Sequence, residues 1–431
     1  MSNWVGIVGG GAAGMMAAIT AAAQGARVTL IEGNDRLGKK LLSTGNGKCN
    51  LGNEKLSLEE YYTNQPELLE NCLKRFGTAD TIAFFQKMGL CIKNKNGYLY
   101  PLGEQAAIVQ DVLRYRVREL GVDLVMGCKI SKIWKKHGEI FLQGDGKKFG
   151  FDRVILACGG QAVPKTGSDG SGYQLAAQLG HHLIPLVPAL VQLRCREAYF
   201  KAVTGVRAEG KLSVYWRGKC VAGERGELQL TDYGISGIPV FQLSRIINYL
   251  LAGKEKFALG GTRGEAEKEP CERNRSSGEE VEVEIDFLPG YSIEAWREFC
   301  AERDVLRKER TAEEFFTGIL HKKLMLLFIK MAGIKPSDLI AAVEREKIDK
   351  VYGLCRCWRV HVTGSNSYEN AQVCAGGVPL DEVTSDLESK KVSGVYFAGE
   401  ILDVDGKCGG YNLQWAWSSG FLSGRASAEA F

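Results

Sequence analysis

The residues best suited to chemistry lie in the first strand-turn-helix pattern. Val5 to Val8 is a short apolar run, as expected of a strand buried on both faces. Gly9-Gly10-Gly11-Ala12-Ala13-Gly14 follows and fits G-x-G-x-x-G. In that pattern Gly9 makes the tight turn, Gly11 lets backbone approach a pyrophosphate, and Gly14 lets helix and strand pack closely. The N–H groups at the helix start, around Ala12 and Ala13, offer free donors and a positive dipole end. An alanine-rich helical stretch runs from Met15 to Gln24, Gly25 ends it, and Arg27 to Ile31 reads as a second strand closed by Glu32. Glu32 can accept hydrogen bonds from a ribose diol, and its charge would repel a 2′-phosphate, which argues against NADP at this site. A lone glycine motif is weak evidence. The flanking strand, the helix and the acid ending the next strand make it specific.

The continuation points to FAD rather than NAD. A long polar loop follows Glu32, in which Gly33, Lys39, Lys40, Ser43, Gly45, Lys48, Cys49 and Asn50 are candidate contacts. Such a loop suits a cofactor lying extended along the protein, with backbone amides beneath its flavin end. The strand Val154 to Ala157 leads into Cys158 and Gly159, where glycine allows close passage of the chain. Ala157, Cys158 and Gly159 are therefore candidates, as is Ile130. Near the other end, the strand Val395 to Ala398 is followed by Gly399, Glu400, Asp405, Gly409, Gly410, Tyr411, Asn412 and Leu413. The last helix is expected from about Asn412 to Glu429, kept slim by Ala416, Ser418, Ser419, Gly420, Ser423 and Gly424. Its N-terminus suits the flavin pyrimidine, where it would stabilise negative charge on reduction.

Two side chains could take part in the reaction itself. Cys49 has no C-x-x-C partner, so a disulfide-reductase mechanism lacks its second thiol, and an inert packed Cys is the favoured reading. Tyr411 could donate a proton, although a ring packed beside the flavin is favoured. The five histidines lie outside the glycine-rich blocks, and His181-His182, after Gly180, read as a helix C-terminal pair. Gly167 to Gly172 is not G-x-G-x-x-G, so a second dinucleotide domain is not expected. NAD(P)H would dock transiently as co-substrate.

These residues need a frame. The chain has 431 residues, 45% hydrophobic and 25% charged, enough for two or three domains. A net charge of +4 without a basic run argues against a nucleic-acid partner. No apolar run reaches membrane-spanning length, and no signal peptide is read before the strand at Trp4. Thirteen scattered cysteines without zinc spacing read as reduced cytoplasmic thiols, with no metal expected. An inserted region is placed at 189–352, β-rich over 189–290 and helical over 291–352. Short strands are expected at Val191 to Cys195, Lys211 to Trp216, Glu227 to Thr231 and Val281 to Phe287, with an exposed loop over 260–280. Thr311-Ala312-Glu313-Glu314 reads as a capping box opening a helix that ends near Gly333, with another opening at Ser337 or Asp338. The helical part is either a lid or a packing cap, the cap being favoured.

Taken together, the blocks at Gly9 to Gly14, Leu37 to Lys40, Lys48 to Asn50, Pro164 to Ser168, Tyr233 to Gly237, Ala371 to Val378 and Tyr396 to Gln414 resemble the HI0933-like (BaiN/YhiN) family of NAD(P)/FAD-dependent oxidoreductases. The resemblance implies an α/β fold. A Rossmann-type FAD-binding domain, 1–188 and 353–431, would be interrupted by a β-rich domain carrying a small helical subdomain. It also implies a small-molecule acceptor, since one branch reduces double bonds conjugated to a ketone in oxidised bile acids. Gly45-Asn46-Gly47-Lys48 departs from the usual Gly-Gly-Gly-Arg, Tyr98 to Gly103 from a Phe-Pro-x-Ser segment, and Asp232 from a His. Lys for Arg loses the planar fork. Two functional classes follow: a flavin-dependent NAD(P)H oxidoreductase, or an FAD-binding module with a structural or sensing role in RNA modification or a protein complex.

Overall fold

The computed structural model describes residues 3–259, 280–304 and 309–429. The chain divides into two compact units, one of residues up to 188 and from 368 onward, the other of 189–367. The expected loop at 260–280 falls, apart from Glu280, outside the described residues.

The first unit is built on one parallel sheet. Its elements are β1 (Trp4–Val8), α1 (Ala12–Ala23), β2 (Arg27–Ile31), β3 (Asp123–Val125), β4 (Arg153–Leu156), β5 (Val395–Phe397) and the last helix, α2 (Tyr411–Ala428). The strand order is β5-β4-β1-β2-β3, every pair parallel, with Val5 opposite Val28 on one side and Arg153 on the other. Covering both faces of such a sheet requires apolar residues at successive positions, and Val5, Ile7, Val8, Val154, Ile155 and Leu156 are all buried. Val5, Ile7 and Ile155 join the core of α1 and Trp417. Val8, Val154 and Leu156 join the opposite core, with Ile133, Ile140 and Phe151 from an antiparallel sheet of Ile130–Lys136, Glu139–Gly144 and Lys147–Phe151. Gly6 has no side chain because the Phe151 ring lies there: a Cβ would come within 2.4 Å of it.

The second unit is a closed antiparallel barrel. Its strands, in order, are Leu193–Cys195, Gly234–Gly237, Lys219–Leu230, Arg207–Trp216, Val281–Asp286 and Trp358–Ser365. The last of these moves the expected domain boundary. The sequence pattern puts the return to the first unit at 353, but Trp358–Ser365 pairs with Val281–Asp286 and with Leu193–Cys195, so it comes at 368. Trp358, Val360 and Val362 are buried, an alternation that marks a half-buried strand. The helical segment also differs from expectation. The capping box forms, with Thr311 N donating to Glu314 Oε2 at 2.8 Å and Glu314 N to Thr311 Oγ1 at 3.3 Å. Its helix stops at Phe316, and a second, Lys322–Met331, starts afresh behind His321, whose Nδ1 accepts from Lys323 N. Gly318 between them is left-handed, at φ +94°. Asp338 caps a turn at Lys335 N instead of opening a helix, and the next α-helix is Arg345–Arg356.

Candidate cofactor site

The turn after β1 has the geometry its glycines promised. Gly9 takes φ +104°, and a Cβ there would lie 2.4 Å from the Ala157 carbonyl oxygen. A Cβ on Gly14 would lie 1.8 Å from the Gly9 carbonyl oxygen, so only glycine permits this helix-to-turn contact. A Cβ on Gly11 would meet nothing within 4 Å: this residue faces open space. Gly11 is the N-cap of α1, without a side-chain cap, and no acid occupies the first turn. The first amides of α1 are thus left for an external acceptor, and the dipole favours an anionic one.

Glu32, at the end of β2, is 9% exposed and already oriented. Its Oε2 accepts from Gly10 N at 2.7 Å, and its Oε1 from Asn34 N at 2.8 Å and Asn34 Nδ2 at 2.7 Å. Sequence reasoning gave Asn34 no role; an amide two residues past the acid was the available signal. Gly33 lies nearby, 3.8 Å from Lys129 Cβ if it carried a Cβ of its own. Ile130 is buried, and beside it a cavity of about 230 Å³ is lined by Lys129, Ser131, Asp145 and Asp169.

Gly9, Glu32, Ala157 to Gly159, and Gly399 with Glu400 all follow the carboxyl ends of adjacent parallel strands. That is the edge where open parallel sheets take ligands. Lys40 and Glu400, brought together from opposite ends of the chain, form an ion pair of 2.8 Å, and Glu400 Oε1 also accepts from Cys374 N at 2.7 Å. Gly399 is left-handed, at φ +79°, and its N–H donates to Ser419 Oγ of α2 at 2.8 Å.

Helix α2 packs on α1 almost backbone to backbone. A Cβ on Gly420 would lie 2.5 Å from Ala13 O, and one on Gly424 2.6 Å from Ala17 O. This register makes the two helices run the same way. The start of α2 then lies about eight residues, roughly 12 Å of helix, beyond the start of α1. The N-cap of α2, Gly410, is left-handed and has no side-chain cap. Asn412 closes the preceding turn, accepting from Gly406 N at 2.8 Å and donating to Gly406 O at 2.7 Å. Asp405 pairs with Tyr62 in a short antiparallel bridge, and Gly409 sits at φ +139°. Leu413 packs against the core of α1.

The loop at 40–47 is a pair of 3₁₀ turns joined by left-handed Gly45 and Asn46, so asparagine substitutes for glycine there. Ser43 Oγ donates to Lys40 O at 2.8 Å, Lys39 lies 3.9 Å from Asp35, and Lys48 pairs with Glu104 at 2.8 Å. Cys49 is buried, and burial pushes its thiol up to about 12, so it carries no thiolate at neutral pH. The Tyr411 hydroxyl donates to Lys55 O at 3.3 Å, and burial raises it to about 12. Its ring stands edge-on to Tyr61, centroids 5.7 Å apart. The geometry of both favours packing over chemistry.

These residues fit FAD. The two uncapped helix starts are spaced for an extended dinucleotide, and the side-chain oxygen of buried Asn50 has no partner within the protein. A ligand donor such as a flavin imide N–H would satisfy it. The histidine pair does follow a helix C-terminus, that of Ser171–Gln178, where Gly180 is left-handed and His181 N donates to Ala176 O at 3.1 Å, and the two rings turn to other partners. His181 bridges Glu382 and Ser389, both at 2.7 Å, and His182 Nδ1 meets Glu382 at 2.6 Å. No group of His, Cys, Asp and Glu among the described residues could hold a metal, and no helix among them is long and apolar enough to cross a membrane.

Comparison with known proteins covers nearly the whole chain. Residues 3–426 match the family described as HI0933-like protein Rossmann domain. A 3-dehydro-bile acid delta(4,6)-reductase from Clostridium scindens is 41% identical over 432 aligned positions, covering 99% of each chain. A ribosomal RNA dihydrouridine synthase from Haemophilus influenzae is 29% identical, covering 96% of each. Among solved structures, a 3-ketosteroid delta1-dehydrogenase from Sterolibacterium denitrificans aligns with a TM-score of 0.46 at 13% identity, covering 99% of this chain and 100% of that one.

Proposed function

The chain belongs to the HI0933-like family and is an FAD-dependent oxidoreductase, and on that premise we propose that it takes hydride from NAD(P)H and delivers it to a small organic acceptor whose double bond is conjugated to a ketone. The observation that carries the flavin half is the convergence of Gly9, Glu32, Ala157 and Gly399 on one carboxyl edge of the sheet. The acceptor half is supported by the bile acid reductase, 41% identical along 99% of the chain.

The chain's own residues bind and orient. Amides at Gly11, Ala12 and Ala13 would hold the diphosphate, Glu32 the adenosine ribose, and the start of α2 with Asn50 the ring system. Bound flavin supplies the capacity to accept hydride and pass it on. The Lys40–Glu400 pair joins the two walls of the site and offsets a carboxylate that would otherwise repel the diphosphate. With one G-x-G-x-x-G in the sequence, NAD(P)H docks at the flavin and leaves.

The names of the two relatives share a reaction type. A 3-oxo steroid with Δ4,6 unsaturation and a uracil ring each present an alkene conjugated to a carbonyl, so both accept hydride at the carbon remote from it. Identity to the rRNA enzyme across 96% of the chain gives the second reading its support, with RNA as acceptor or bound partner. The modest +4 charge favours the small acceptor, because RNA affinity grows with the number of phosphates neutralised.

Anaerobic mixing separates these. NADH or NADPH should bleach the oxidised-flavin band, at about 450 nm. A 3-oxo-Δ4 steroid should then restore it within seconds, with consumption of the alkene. If neither nucleotide bleaches the band, the NAD(P)H proposal fails. Restoration by ribosomal RNA but by no enone would establish the RNA reading. Slow bleaching together with retention on RNA would point to a structural flavin.

A further inference from the structure

We infer that Ser168 is a hydrogen-bond donor to the ADP half of FAD, carried by a wall formed from residues 163–171; this rests on the flavoprotein reading. Ser168 is 6% exposed, and its hydroxyl is buried without a partner in the protein. A buried hydroxyl left unpaired is costly, so it calls for a partner from elsewhere.

Its position says which partner. On one side is Gly159, where an added Cβ would sit 3.0 Å from Ser168 Oγ. Gly159 continues from Cys158, whose Cα would lie 3.0 Å from a Cβ on Gly9, at the diphosphate turn. On the other side is Gly167, at φ +101°, where a Cβ would come within 2.2 Å of Asn34 Nδ2. The same Asn34 nitrogen donates to Thr166 O at 3.1 Å and to the ribose-facing Glu32 at 2.7 Å. Ser168 therefore lies between the residues assigned to the diphosphate and those assigned to the ribose. Both groups offer oxygen acceptors.

The wall is pinned at several points. Lys129 pairs with Asp169, Val163 N donates to Tyr368 O at 2.8 Å, and Gly170 N donates to Gly160 O at 3.1 Å. Val163 is held at φ +55°, ψ 61°, a conformation that is costly for a β-branched residue and persists only where its surroundings enforce it. A strained and multiply fastened segment that presents an unpaired hydroxyl is arranged for a ligand rather than for its own stability.

Ser168→Ala tests this. Flavin-stripped wild type and variant are titrated with FAD and with ADP alone by calorimetry, and the thermal midpoint of each stripped protein is recorded. Affinity for FAD and for ADP should each fall about tenfold, as for loss of one hydrogen bond to a charged group. The midpoint of the stripped variant should be unchanged or raised, because an unsatisfied group has been removed. A lowered midpoint or a misfolded variant, with wild-type affinity in whatever folds, would make the hydroxyl structural and overturn the inference. Loss of FAD affinity with ADP unaffected would move Ser168 to the flavin half and overturn it too. Failure of the wild type itself to take up FAD would instead sink the flavoprotein reading.

Discussion

Gly11 and Gly14 are two glycines of one motif with opposite surroundings. A methyl at Gly14 meets the Gly9 carbonyl oxygen at 1.8 Å, whereas one at Gly11 meets no protein atom within 4 Å. Gly14→Ala should therefore unfold the first unit or leave it flavin-free. Gly11→Ala should fold with a near wild-type thermal midpoint yet lose FAD affinity by tenfold or more, as about 1.4 kcal/mol of blocked approach would produce. Equal loss of folding in both would refute the division of labour. A second residue-scale expectation concerns acid. Burial alone would raise the Glu382 carboxyl, but hydrogen bonds from Lys391, His182 and His181 outweigh it and hold it at about 2. Burial pushes His181 down against the pull of Glu382. Both shifts make the unfolded chain bind more protons as pH falls, so both contribute stability that acid removes. The midpoint should drop as pH falls below about 6.5, and again from about 4.3 toward 2. His181→Gln should abolish the first drop, as calorimetry from pH 8 to 3 would show. The motif and Glu32 are legible in sequence because glycine spacing, flanking strand and helix, and the acid ending the next strand form one contiguous pattern. The surroundings of Asn34, Ser168 and His181 are not, since Thr166, Gly159 and Glu382 are brought beside them only by the fold.

Between elements, the decisive contact is α1 against α2. Gly420 and Gly424 let α2 settle onto the Ala13 and Ala17 carbonyls, and this fixes the offset between the two uncapped helix starts. Gly420→Ala puts a methyl 2.5 Å from a backbone oxygen. It should cost about 1–3 kcal/mol and shift α2 outward. Thermal unfolding should show the loss, and flavin retention through gel filtration should fall with it. An unchanged midpoint would mean that the helices need not be so close. The slim face of α2 could be read from its small residues, because helical spacing puts them on one side. The break at Phe316 could not: Leu324, Met325, Phe328 and Ile329 keep helical periodicity, and a left-handed Gly318 looks in sequence like a tolerated helix glycine.

At the scale of the whole molecule, a six-stranded barrel closed by Trp358–Ser365 has its own apolar interior and no free sheet edge. Residues 189–367 expressed alone should fold cooperatively with a β-type circular dichroism spectrum and take up no flavin. A non-cooperative melt would show that the barrel borrows stability from the rest of the chain. The insert's β character was visible in four of its strands. Its closure was missed because the closing strand lies beyond a helical segment, where an alternating run reads as the start of the next domain.

The first unit, by contrast, is assembled from both ends of the sequence: β5 and α2 complete a sheet and a helix pair begun at Trp4. During synthesis, β4 waits with one side unpaired for about 240 further residues until β5, and α1 waits with its Ala13 and Ala17 carbonyls uncovered until α2. Stable cofactor loading is therefore expected only after α2 has been made. A chain stopped before residue 411 would carry the full glycine motif but lack α2, and it should lose its flavin through gel filtration while the chain extended through α2 stays yellow.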